Sequence, residues 1–139
     1  MTDTLSPAQR SALMSRIRGR DTGPERALRR LLTDMGYRYR LQYQRVPGRP
    51  DIALPGRRKV IWVHGCFWHR HPGCPKATLP KSRRDFWIPK LAANRHRDLV
   101  AQAEAEELGW DTLVVWECEL RDPNRVVQEL RNFLDEGDP

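Results

Sequence analysis

The segment that most restricts how this chain can fold is HGCFWHRHPGC, residues 64–74. It packs three histidines, two cysteines and two large aromatic residues into eleven positions. The wider stretch 65–84 is rich in Gly, Pro and cations and has no periodicity, which predicts a long loop that something must order. Soft ligands at this spacing suit Zn²⁺, and a cysteine that directly follows a later apolar run can complete a tetrahedral Cys₃His set. The predicted zinc ligands are Cys66, His71, Cys74 and Cys118.

The alternative is that these are three ordinary thiols, with Cys118 simply buried at the end of a strand. A disulfide framework is disfavoured, because three is an odd number and the start MTDTLSPAQR lacks the basic-then-apolar layout of a secretory signal. A bound metal accounts better for an ordered loop of this length.

The remaining sequence alternates helix-like and strand-like patterns, which predicts an α/β fold with a mixed central β-sheet flanked by helices. The length of 139 residues predicts a single domain, 1–139. The predicted elements are a helix from Asp21 or Thr22 to Gly36, strands at 37–44, 51–54, 59–63 and 112–116, one or two helices over 85–108 interrupted around Pro89, and a last helix over 122–137. The two strands of 51–63 form a hairpin turned at Pro55-Gly56. Only the last few residues are expected to be disordered.

Residues 1–20 are interpreted as a mobile N-terminal arm. Within it, residues 6–18 predict a short helix that exposes Leu13, Met14 and Ile17 among arginines.

The charge is unevenly distributed, with a net +15 over residues 1–100 and −8 over residues 101–139, which gives the overall +7. Such a basic region indicates a polyanionic partner, because each cation placed on a phosphate releases counterions. Arginine predominates among the cations, which favours bidentate contacts to phosphate or guanine. No apolar stretch is long enough to cross a bilayer, so we expect a cytoplasmic protein without a membrane partner, associated with the nucleoid when bound to DNA.

The sequence PGRPDIAL places Asp51 at the opening of a strand, directly after Pro50, and the partner strand ends in Val63-His64. A carboxylate at such a strand end resembles the metal-binding half of restriction-enzyme-like nucleases. The Glu-x-Lys that normally follows is missing, since Lys59 has no accompanying acid. An aspartate after proline is alternatively a turn residue.

Phosphodiester hydrolysis needs a metal near the scissile phosphate and a group that moves a proton. Asp51 offers a hard oxygen ligand, His64 and His69 can titrate near neutral pH, and Glu25 can orient water or an outer-sphere ligand from its helix. For His69 the alternative is a solvated loop histidine.

The aromatic residues Phe67, Trp68 and Trp87 lie on or near the basic loop, where large apolar rings are poor surface residues unless they meet a partner. They can wedge between base pairs, whereas burial in the core is the alternative. We predict core burial for three tryptophans in or beside strands, Trp62, Trp110 and Trp116.

Taken together, these motifs closely resemble those of the very-short-patch repair (Vsr) endonucleases. The resemblance spans residues 6–135 and rests on DT...E at 21–25, PGRPD at 47–51, HGCFWH at 64–69, FW at 86–87, LGW at 108–110 and VWEC at 115–118.

The resemblance implies a restriction-endonuclease-like fold with a structural zinc site. It implies that Asp51 binds catalytic Mg²⁺, that His69 acts in proton transfer and that Glu25 and His64 complete the site. Val63 stands where some members have Thr, so its backbone carbonyl is the remaining candidate Mg²⁺ ligand. The resemblance also implies an intercalating platform of Phe67, Trp68 and Trp87, an arm residue Met14 that enters from the opposite groove, and the zinc ligands Cys66, His71, Cys74 and Cys118.

The implied activity is the nicking of one strand of duplex DNA at a T:G mispair left by deamination of 5-methylcytosine, on the 5′ side of the thymine. This substrate comes from the resemblance alone. The expected partners are double-stranded DNA with a T:G mismatch, mismatch-repair proteins and a DNA polymerase, and the chain is expected to be a monomer. Two alternatives remain open: a restriction-type endonuclease on unmodified duplex, which would need a dimer, and a non-catalytic zinc-ordered module that binds mismatches.

Overall fold

The structure, a computed structural model, describes residues 22–135. In this range the chain forms α1 (Gly23–Asp34), β1 (Arg40–Leu41), β2 (Ile52–Leu54), β3 (Lys59–His64), α2 (Arg84–Glu107), β4 (Asp111–Trp116) and α3 (Pro123–Asp135). The strands make one sheet in the order β1-β2-β3-β4. The pairs β1–β2 and β2–β3 are antiparallel, whereas β4 runs parallel to β3. The prediction of a mixed sheet flanked by helices is confirmed.

The two faces of the sheet are covered by different helices, because successive residues of a strand point to opposite sides. Ile61 of β3 packs in one cluster with Leu28 of α1 and Leu130 of α3. Its neighbour Trp62 packs in a second cluster with Ala105 of α2. The sheet therefore separates α1 and α3 from α2.

The first strand is much shorter than the predicted 37–44, since only Arg40–Leu41 pairs with β2. Tyr37 and Tyr39 pack instead against the cluster shared by α1 and α3. Gln42 has φ 54°, a left-handed conformation that ends the strand.

The predicted interruption around Pro89 is wrong, because α2 continues through this residue without a break. Proline lacks the N–H that would bond the carbonyl of Asp85, four residues earlier. Asp85 is exposed in the first turn, so water can take the place of that hydrogen bond.

The first helix begins as predicted, since the hydroxyl oxygen of Thr22 accepts a hydrogen bond from the N–H of Glu25 at 3.4 Å. The proposed arm with Leu13, Met14 and Ile17 lies outside the described residues, as do residues 136–139. Among the helices that are described, none combines the length and the apolar character needed to cross a membrane.

Candidate active site and metal centre

Asp51 lies directly before β2, opposite the end of β3. Its Oδ2 accepts a hydrogen bond of 2.6 Å from the N–H of Val63. Burial raises the pKa of Asp51 to about 7; the Val63 hydrogen bond opposes this rise, and the nearby carboxylate of Glu25 adds to it. A cation at this carboxylate would favour its charged form.

Two further oxygen groups adjoin Asp51. The N–H and C=O of one strand residue point to the same side, so the Val63 carbonyl faces the side on which Asp51 lies. Glu25, in the first turn of α1, lines a cavity together with Asp51. The structure therefore brings Asp51 and Glu25 together at one cavity and bonds Asp51 to the backbone of Val63, the third residue assigned to Mg²⁺ chemistry.

Lys59 lies at the other end of the hairpin, paired with Leu54. Its buried ammonium group donates a hydrogen bond to the carbonyl of Phe133 in α3. It is a structural residue, which agrees with the absence of a Glu-x-Lys motif.

His64 and His69 stack face to face, with ring centroids 4.0 Å apart and planes 7° from parallel. His64 is almost fully buried, and burial followed by the charge of His69 lowers its pKa to about 4. His64 is therefore neutral at physiological pH. His69 is more accessible, since 31% of its side chain is exposed, and its charge acts to lower the pKa of Asp51. An accessible imidazole thus lies near the candidate metal ligand.

Asp98 of α2 is a site residue that the sequence reasoning missed. Its Oδ2 lies 2.6 Å from Nδ1 of His69, and its Oδ1 lies 4.0 Å from Nε2 of His64. The 2.6 Å separation is a short hydrogen bond, which leaves no space for an ion between these atoms. The sequence does contain a signal for this position. Asp98 lies seven residues after Leu91 and seven before Ala105, both of which are buried, so all three residues lie on the inner face of the helix.

The four predicted zinc ligands converge. One ligand atom from each residue lies within 4.8 Å of the others, and Cys118 Sγ is 3.5 Å from His71 Nδ1. The three thiols form no disulfide. This donor set of three sulfurs and one imidazole nitrogen fits a soft, tetrahedral metal ion. The four residues that come together are Cys66, His71, Cys74 and Cys118.

Backbone hydrogen bonds of the loop position three of the ligands, and the fourth, Cys118, lies in a 3-10 helix, Glu117–Arg121. The N–H of His71 donates to the carbonyl of Cys66 at 3.0 Å, and the N–H of Cys74 donates to the carbonyl of His71 at 3.3 Å. Burial raises the pKa of Cys66 to about 12, so in the absence of a cation this thiol stays protonated. The pKa of Cys74 is lowered, chiefly by a hydrogen bond from the backbone of Lys76.

Trp116 connects this cluster with the histidine pair. Its ring stacks on His71 at 4.2 Å and 12°, and meets the edge of His64 at 5.3 Å and 74°. The prediction of core burial is confirmed for Trp62 and Trp110, whereas Trp116 is only half-buried. It lies at the end of β4, where its ring is stacked by His71 of the loop.

The aromatic residues expected to meet DNA form one cluster. Phe67 contacts Trp68 and Trp87 at centroid distances of 5.1 and 5.6 Å, and the two tryptophans are 5.8 Å apart. All three are half-buried. Phe86 extends the cluster 5.1 Å from Trp87 and is 42% exposed, with Arg83 lying over its ring. The predicted platform residues are therefore together, and Phe86 is an addition that the FW pair alone did not reveal.

Comparison with known proteins agrees with this arrangement. Residues 2–76 match the family model described as DNA mismatch endonuclease Vsr. The chain is 52% identical over 135 residues to the type II nicking enzyme V.XorIIP of Xanthomonas oryzae pv. oryzae, covering 97% of this chain and 98% of that protein. It is 42% identical over 129 residues to the DNA mismatch endonuclease Vsr of Escherichia coli, covering 93% and 82%.

Among solved structures, the catalytic domain of the homing endonuclease I-Bth0305I superimposes with a TM-score of 0.56 at 20% identity, covering 81% of this chain and 94% of that one. That likeness concerns the fold and indicates an endonuclease-like architecture. The match to the family model and the identity to the nicking enzymes go further: this chain belongs to the Vsr family of DNA mismatch endonucleases and is a DNA-binding, DNA-cleaving hydrolase.

Proposed function

We propose that the protein nicks one strand of duplex DNA at a T:G mispair, on the 5′ side of the thymine. The observation that carries this proposal is a largely buried Asp51 near the His69–Asp98 hydrogen bond, together with a half-buried aromatic cluster on the same loop as His69. The family name supports mismatched DNA as the substrate class. The choice of T:G comes from the resemblance of the sequence motifs.

We further propose that Asp51 and the Val63 carbonyl hold Mg²⁺, with Glu25 beside them. Hard oxygen donors are the ligands this ion prefers, and a cation would favour the charged form of Asp51, whose pKa burial raises. When bound, the ion would neutralise phosphate charge and lower the pKa of water.

The remaining steps belong to side chains. Asp98 binds Nδ1 of His69, which fixes the orientation and tautomer of the imidazole and leaves Nε2 to take the proton of the attacking water. His64, neutral and buried, supports the His69 ring by stacking. His69 is thus assigned to proton transfer, and Asp98 is assigned to positioning it.

For the second metal, we propose structural Zn²⁺ on Cys66, His71, Cys74 and Cys118, since thiolates and imidazole select this ion. We also propose that Phe67, Trp68 and Trp87 insert beside the mispair, with Met14 acting from the opposite groove. A mismatched step is less costly to unstack than a paired one, which gives the wedge its selectivity.

We also propose the setting of the reaction. The chain would act as a monomer, as one domain over 1–139 with an arm over 1–20, in the cytoplasm on nucleoid DNA. Mismatch-repair proteins and a polymerase would complete the repair.

The test is single-turnover cleavage of a labelled duplex panel with T:G, T:A or C:G at one position, with and without Mg²⁺. We expect a single nick in the T:G duplex only, and only with Mg²⁺. Cutting of both strands in T:A or C:G duplexes would establish a restriction-type enzyme instead. Binding of T:G without cleavage would establish a non-catalytic mismatch module.

A further inference from the structure

The turn that leads into Asp51 has a strained backbone. Gly48 has φ 82° and Arg49 has φ 48°, so a non-glycine residue is held in the left-handed region. Residues of this kind are retained only where the surrounding structure fixes them, and they cluster at functional sites. The left-handed conformation of Arg49, two residues before Asp51, therefore indicates a functional role for this turn.

Contacts with the core fix this turn in place. A Cβ atom added to Gly48 would lie 2.4 Å from Cβ of Ala101 in α2, so only glycine fits against that helix. The indole N–H of Trp62 donates a hydrogen bond of 2.9 Å to the Gly48 carbonyl. Arg49 is consequently carried by a rigid turn, although it is itself an exposed residue.

The guanidinium-bearing residue Arg49 lines the cavity that also contains Glu25 and Asp51. The cavity has a volume of about 60 Å³ and opens between α1 and the segment that follows β1. Arg29 of α1 lines the same cavity, and its charge acts on Asp51. Two acidic residues and two arginines thus line one small cavity. Within residues 22–135, the side chain of Arg49 has no hydrogen bond or ion pair with another residue.

This arrangement suits a phosphodiester. The carboxylates that line the cavity would take the cation, and an arginine lining the same cavity can bind the non-bridging oxygens of the phosphate that the cation contacts. A rigid carrier matters, because preorganised donors stabilise the charge that develops on a phosphate during cleavage. Lysine would supply the charge but not the planar pair of donors.

We propose that Arg49, held by the strained Gly48–Arg49 turn, binds the non-bridging oxygens of the DNA phosphate that is cut beside Asp51. This inference rests on the proposed role of Asp51 as the metal ligand. It adds a substrate-binding group to the candidate site and gives a reason for the left-handed backbone of Arg49.

The test uses Arg49→Gly, because glycine accepts the left-handed backbone while removing the guanidinium. We expect its melting temperature to be no lower than that of the wild type, while the single-turnover nicking rate falls on the order of 10²-fold. Arg49→Lys should recover part of this rate. The matched control is Arg45→Ala, which removes one exposed charge from the same segment outside the cavity and should nick at the wild-type rate.

A second measurement identifies the contacted group. A methylphosphonate at the scissile position replaces one charged oxygen of the DNA, and affinities are measured in Ca²⁺. The substitution should weaken binding to the wild type more than binding to Arg49→Gly, because the variant loses only the contact between the phosphate and the cation. Equal weakening in both proteins, or a wild-type nicking rate in Arg49→Gly, would overturn the proposal. Asp51→Asn separates failure of the proposed active site from failure of the Arg49 proposal. If Asp51→Asn still nicks, the proposed active site is wrong. If Asp51→Asn does not nick but Arg49→Gly nicks at the wild-type rate, only the role of Arg49 is wrong.

Discussion

Replacing Asp51 with Asn is expected to stabilise the protein above neutral pH while it abolishes cleavage. Burial raises the pKa of Asp51 from 3.8 to about 7. The folded protein therefore keeps a proton that the unfolded chain releases, and its stability falls as the pH rises from about 4 to about 7. Since one pKa unit corresponds to about 1.4 kcal/mol, ionised Asp51 lowers the free energy of unfolding by roughly 4 kcal/mol at pH 8.

Asparagine removes this penalty with little change of shape. Its amide oxygen can still accept the hydrogen bond from Val63 that Asp51 accepts at 2.6 Å. His64 gives the wild type an opposite trend, because its pKa is lowered to about 4 and protonation opposes folding at acidic pH. That trend is common to both proteins, so the difference between them isolates Asp51.

The assay is urea unfolding of the wild type and Asp51→Asn in Mg²⁺-free buffer, from about pH 4 to about pH 8. The difference in unfolding free energy should grow from near zero to a few kcal/mol. Added Mg²⁺ at pH 8 should stabilise the wild type and leave Asp51→Asn unchanged. Asp34→Asn, at an exposed aspartate of α1, is the control and should change neither stability nor nicking. Equal stability of Asp51→Asn and the wild type at pH 8 would refute the buried-carboxylate argument.

Three further predictions concern the neighbouring groups. Asp98→Asn should reduce the single-turnover nicking rate by about 10²- to 10⁴-fold with unchanged affinity in Ca²⁺, because His69 loses the anion that fixes its tautomer; a wild-type rate would remove Asp98 from the site. The wild type should contain about one zinc per chain, and Cys118→Ser should lose it and increase hydrogen exchange over residues 65–84; metal analysis well under half an equivalent in the wild type would contradict this. Trp68→Ala should lose discrimination of T:G over T:A more than general DNA affinity, whereas equal losses on both duplexes would make it a packing residue.

The parts of the fold that the sequence predicted are those with a strong local signal. The apolar run KVIWV predicted the buried strand β3, and TLVVW predicted β4. The convergence of the four candidate metal ligands was equally predictable, since cysteines and histidines in one short segment have few other uses. The length of β1 was not predictable, because Tyr37 and Tyr39 alternate like strand residues although packing against the helices decides their position.

Asp98 could not be assigned from sequence for a similar reason. An acid in the middle of a helix is ordinarily solvated, and its partner depends on where the helix crosses the sheet. Here Leu91 and Ala105 are buried on the inner face of α2, and the face they share carries Asp98 to the histidine pair. The spacing of residues predicts the face of α2 on which Asp98 lies, whereas its partner His69 follows only from how the helix packs.

The geometry also explains how a loop without regular structure can hold His69, the residue proposed for proton transfer, in a defined position. His64 and Trp116 are register partners at the ends of the parallel strands β3 and β4, so the sheet fixes both rings. His69 stacks on His64, and His71 stacks on Trp116. Two rings of the loop, two residues apart in sequence, therefore pack against the ends of the two strands. Nearby, α2 holds the loop backbone, because Asn94 donates to the carbonyl of Trp68 at 3.4 Å and Arg95 donates to that of Arg70 at 3.2 Å. The candidate metal ligand His71 and the proposed proton-transfer residue His69 therefore rest on the same two strand ends, and the position of His69 depends on the order of the loop that carries both.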